Sequence, residues 1–62
     1  MNPLNEYWLD SAERWLACLE VSRANYRALL NATDPFALTL AAIELDNVRI
    51  SMNGFKNSIG GI

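Results

Sequence analysis

The sequence predicts an all-α fold, an antiparallel helical hairpin that associates into a four-helix bundle. Three observations carry that prediction. Residues 4 to 30 contain neither proline nor glycine. The stretch "LNATDPF", residues 30 to 36, then supplies a single break with turn chemistry. Beyond it, apolar residues recur at helical spacing as far as Met52. The helices are expected at about residues 3–31 and 35–53.

The first helix is punctuated clearly. Asn2 suits the N-cap and Pro3 the first helical position. Glu6, Asp10 and Glu13 come early while Arg23 and Arg27 come late, which complements the helix dipole. Asp10 and Arg14 are spaced for an i,i+4 pair. At about 100° per residue, Trp8, Ala12, Trp15, Leu19, Tyr26 and Leu30 fall on one side, flanked by Leu4, Leu16, Ser22 and Leu29. The line 8, 12, 15, 19, 22, 26, 29 alternates steps of four and three, as a coiled-coil seam does.

At the break, Thr33 or Asp34 can cap and Pro35 fits the first turn of a new helix. The second helix shows two apolar stripes about half a turn apart. Phe36, Leu40, Ile43 and Ile50 form one, with Asn47 in its middle. Leu38, Ala41, Leu45, Val48 and Met52 form the other. A hairpin offers this helix one neighbour, so one stripe must find another surface. The expected intrahairpin core is Trp15, Leu19, Tyr26 and Leu30 against Phe36, Leu40, Ile43 and Ile50. Gly54 is expected to stop the helix, making 1–53 the hairpin and 54–62 a flexible tail. Helices of roughly 40 and 28 Å would then leave Tyr7, Trp8 and Leu9 overhanging. The expected interface is accordingly Tyr7 and Trp8 with Leu38, Ala41, Leu45, Val48 and Met52.

The totals agree with association. A 62-residue chain buries only about 60% of its unfolded surface and usually needs a staple. One cysteine, Cys18, forms no internal disulfide, and with no histidine the usual metal sets fail, so no metal or cofactor is expected. The formal charge of -2, with no basic cluster, argues against nucleic acid. The N-terminus lacks a signal-peptide n-region, and the run Asn31 to Ile43 is too short to span a bilayer. A free cysteine suits a reducing cytoplasm. Glu6, Asp10, Glu13 and Glu20 read as a solvated face and Cys18 as a small packing residue with no activating base. Catalysis is therefore not expected. Glu44 reads as a rim charge or a partner for Arg23 or Arg49. Ser22 and Asn47 interrupt apolar stripes, as tolerated defects or as devices that fix register.

The run "WLACLEVSRANYRALLNATDPFALTLAAIELDNVRISM", residues 15 to 52, resembles the phasin family of polyhydroxyalkanoate granule proteins. The likeness lies in the helix carrying "SRANYRALL", the turn "ATDP" and the small-apolar-acid run "AAIEL". It implies a non-enzymatic helical protein that forms coiled-coil oligomers and coats a polyester granule or binds its enzymes. Leu38, Leu45, Val48 and Met52 would then face granule or partner. The predicted function is non-catalytic, phasin-like association: with itself, a dimer being favoured, with a partner protein or with a granule surface. The alternative is a small accessory or inhibitory subunit docking on a larger enzyme complex.

Overall fold

The computed structural model describes residues 2–62. They form α1 (Pro3–Leu30) and α2 (Ala37–Gly60), joined by a short turn and packed side by side. Principal extents of 50 × 13 × 9 Å are those of two helices with no further layer.

Each boundary has a local cause. Asn2 is extended, and its Oδ1 accepts the Leu4 amide at 2.8 Å, with Pro3 opening the helix. Arg14 pairs with Asp10 at 2.8 Å across one turn, both well exposed. At the far end, the Asn31 and Ala32 amides donate back to the Ala28 and Leu29 carbonyls. In the turn, Asp34 Oδ1 accepts the Phe36 amide at 2.7 Å and its carbonyl accepts the Ala37 amide at 3.0 Å. This Asx turn starts α2.

The two helices of the hairpin meet in one register. Trp8 lies against Gly61, Ser11 against Ser58 and Trp15 against Gly54, the two numbers adding to 69 in each pair. On α1 every position of the line 5, 8, 12, 15, 19, 22, 26, 29 is buried or half-buried. On α2 the matching line is 37, 41, 44, 48, 51, 55, 58, again in steps of four and three. Its residues are Ala37, Ala41, Glu44, Val48, Ser51, Phe55 and Ser58. The large side chains thus come mainly from α1 and the small ones from α2. Among the described residues no large side chain is fully buried, and those out of solvent are Ala12, Ala37, Ala41, Ser51 and Ser58.

This packing corrects three expectations. Helix α2 does not stop at Gly54, and 54–60 is not a loose tail. Gly54 has no left-handed backbone and lies in the helix beneath the Trp15 indole. The longer α2 reaches the start of α1, so Trp8 does not overhang but sits half-buried against Gly61.

The third correction concerns the stripes. Phe36, Leu40, Ile43 and Ile50, expected in the intrahairpin core, are 71%, 48%, 52% and 57% exposed, and Leu30 is exposed with them. Ala41, expected at the interface, is buried, and Leu45 and Val48 are half-buried. The cause is volume. Level with this stripe, Leu19, Tyr26 and Leu29 of α1 fill the seam, and interiors close-pack without room for a second bulky row. Small residues on α2 let the backbones approach, so the greasier stripe turns outward.

Candidate interaction surface

With the seam occupied, the remaining apolar residues fall on the two flanks of the hairpin. One flank belongs mainly to α2, where Phe36, Leu40, Ile43 and Ile50 run along the half nearest the turn. Asn47, also exposed, lies among them. These five residues stand at the positions just before the seam residues Ala37, Ala41, Glu44, Val48 and Ser51, which sets them on a single side.

The opposite flank draws on both helices. On α1 the positions one past the seam are Leu9, Leu16, Arg23 and Leu30; on α2 they are Leu38, Leu45, Met52 and Ile59. In an antiparallel pair these two lines share one side. The hairpin register brings Leu9 level with Ile59, Leu16 with Met52, Arg23 with Leu45 and Leu30 with Leu38. All but the half-buried Leu45 are exposed. Monomeric proteins seldom expose apolar area this continuous.

Charge borders that flank asymmetrically. Along its α1 edge run Glu6, Glu13, Glu20 and, nearest the turn, Arg27, and along its α2 edge Arg49 and Lys56, all exposed. Arg49 touches Asp46 at 3.4 Å, an exposed contact of small energetic weight. Glu44 sits half-buried in the seam and forms no ion pair with Arg23 or Arg49 among the described residues.

The remaining features are chemically sparse. Cys18, expected to pack at the edge of the stripe, is exposed instead. It lines two shallow depressions, one of about 290 Å³ with Ser11, Arg14 and Trp15, the other of about 310 Å³ with Ala17, Val21 and Ser22. No group of three His, Cys, Asp or Glu side chains able to hold a metal occurs among the described residues. Among them, no helix is long and apolar enough to cross a membrane. Tyr7 is exposed and meets Trp8 edge-on, ring centroids 5.1 Å apart.

Of the residues expected at an interface, Tyr7, Leu38 and Met52 are exposed, whereas Trp8, Ala41, Leu45 and Val48 belong wholly or partly to the hairpin. Of the expected core, Trp15, Leu19 and Tyr26 lie on the seam. Sequence reasoning missed Ser51, Phe55, Ser58 and Ile59. The signal was present in the seven-residue recurrence 37/44/51/58 and 38/45/52/59, which runs straight through Gly54. No protein-family model, curated protein or solved structure matches the chain significantly.

Proposed function

We propose that the chain is a non-catalytic association protein that works by laying the outward stripe of α2 onto another surface. One observation carries the reading: Phe36, Leu40, Ile43 and Ile50 form an apolar row, interrupted only by Asn47, that the hairpin leaves about half exposed or more. Fully burying such a side chain is worth about 1.5–3 kcal/mol, and roughly half or more of each of the four remains to be buried on docking. Glu6, Glu13 and Glu20 lie in the open, and no acid stands beside Cys18 as a base in either depression. Those placements favour binding over catalysis. The likeness to phasins supports the same class of role, with a polyester particle as the surface.

A specific residue favours a protein surface over a particle. Asn47 lies within the row, and its amide loses water on docking. A partner protein can return hydrogen bonds to it; a hydrocarbon-like particle cannot, at a cost of about 1–3 kcal/mol. An accessory subunit seated on a larger protein is the second reading. Partitioning of the chain onto hydrophobic particles, compared with Asn47→Leu, tests the pair. Tighter particle binding by N47L with loss of a stoichiometric protein partner supports the accessory role. Failure of the wild type and of N47L to bind either surface overturns both.

A further inference from the structure

We infer that the flank opposite the proposed docking stripe is filled by a second copy of this chain, in a dimer with both hairpin turns at the same end. The inference assumes that the α2 stripe is left free for another surface, but it rests on a different set of residues.

The first support is area. A compact monomer of 6.9 kDa exposes about 4000 Å². This hairpin exposes 4749 Å². The excess, about 750 Å², matches the roughly 800 Å² that each partner buries in a standard specific interface. A rod of 50 × 13 × 9 Å sheds that excess by pairing lengthwise along one flank.

The second support is the flank's own pattern. Leu9 with Ile59, Leu16 with Met52 and Leu30 with Leu38 make rungs along its whole length, and each rung joins both helices. A two-fold interface presents the same patch on both partners, so a patch spanning α1 and α2 evenly suits it. Arg23 interrupts the row, with a stem that can lie on apolar surface while its head reaches the edge.

The third support, charge, selects the arrangement. Two hairpins can meet face to face in two symmetric ways. With the two-fold axis along the helices, α1 lies on the partner's α2 and the turns coincide. With the axis across the helices, α1 lies on α1 and the turns are at opposite ends. Centred on the hairpin, the second arrangement sets Glu13 of one copy against Glu20 of the other and Arg49 against Lys56, and only Glu6 meets an opposite charge, Arg27. The first sets acid edge against basic edge at matching heights. Glu13 with Lys56, and Glu20 with Arg49, each add to 69, the register already fixed within the hairpin by Trp15 and Gly54. An axis along the helices preserves height, so these are the residues that meet across the dimer. Like charges opposed would disfavour the other arrangement.

The test uses the full chain carrying Cys18→Ser and Thr33→Cys, spin-labelled in the turn, with mass read by sedimentation equilibrium. The expected result is a species of twice the 6.9 kDa chain mass with a short label-to-label distance, well under the length of the hairpin. The opposed arrangement would separate the labels by about 40 Å or more, since 28 residues of helix lie between the ends. Leu16→Glu with Met52→Glu should give a helical monomer by circular dichroism. Glu13→Gln with Glu20→Gln should weaken the dimer about tenfold in low salt, whereas in the opposed arrangement it would strengthen it. A folded wild-type monomer at tens of micromolar overturns the dimer. Distant labels or a strengthened E13Q/E20Q dimer overturn the arrangement. Particle or partner binding through the α2 stripe is measured separately, so loss of one reading leaves the other standing.

Discussion

Trp15 lays its indole over the backbone of Gly54, so that a Cβ at residue 54 would stand within 3.0 Å of three atoms of the fused ring. Glycine in a helix interior costs roughly 0.5–1 kcal/mol relative to alanine. Here close approach of the helices offsets that cost. Trp8 repeats the arrangement one heptad away at Gly61.

Gly54→Ala should therefore destabilise the hairpin despite alanine's better propensity. The rigid ring system must move, and overpacking of this kind costs about 1–3 kcal/mol, which exceeds the propensity gain. Gly60, where a Cβ meets nothing within 4 Å, is the control, and Gly60→Ala should be neutral or slightly stabilising. Thermal unfolding followed by circular dichroism at 222 nm compares them, with a shift of roughly 4–8 °C for each kcal/mol.

The hydroxyls of Ser11 and Ser58 are 2.8 Å apart, with Ser58 buried. Removing one hydroxyl leaves the other without its partner. Ser11→Ala should cost about 1–3 kcal/mol, while the double replacement by alanine should recover much of the loss. A double-mutant cycle from urea melts reads that coupling directly.

An N-cap on α1 and an Asx turn ahead of α2 hold the starts of the helices. Asn2→Ala removes the acceptor for the Leu4 amide, and Asp34→Ala removes that for the Phe36 amide. Each should lower stability by about 1 kcal/mol. The Asp34 change should also increase amide hydrogen exchange at the start of α2 while leaving the centre of α1 protected.

Much of the hairpin was legible because α1 announces itself. Asn2-Pro3 opens it, Asp34-Pro35 closes the connection, and Trp8, Trp15, Leu19 and Tyr26 mark its inner line with bulk. The inner line of α2 was hidden for the complementary reason. Facing the bulk of α1, only Val48 and Phe55 of its seven residues are large and apolar; Ala37, Ala41, Ser51 and Ser58 carry little hydrophobic signal, and Glu44 carries the opposite one. Bulk alone pointed to Phe36, Leu40, Ile43 and Ile50, residues that face away from the seam where Leu19, Tyr26 and Leu29 of α1 sit. Gly54 misled for the same cause, because it resembles a helix stop until its neighbour across the seam is known. The acid and basic edges of the other flank became meaningful only once the register set Glu13 level with Lys56.

The central claim is that the outward stripe of α2 serves contact and not the hairpin's own stability, and thermal unfolding of Ile43→Glu with Ile50→Glu tests it most directly. Both positions are more than half exposed, and surface changes are usually worth within about 0.5 kcal/mol. The doubly substituted chain should melt cooperatively within a few degrees of the wild type while losing its capture by hydrophobic particles or a partner protein. An unfolded chain, or one melting tens of degrees lower, would place Ile43 and Ile50 inside the hairpin and contradict it.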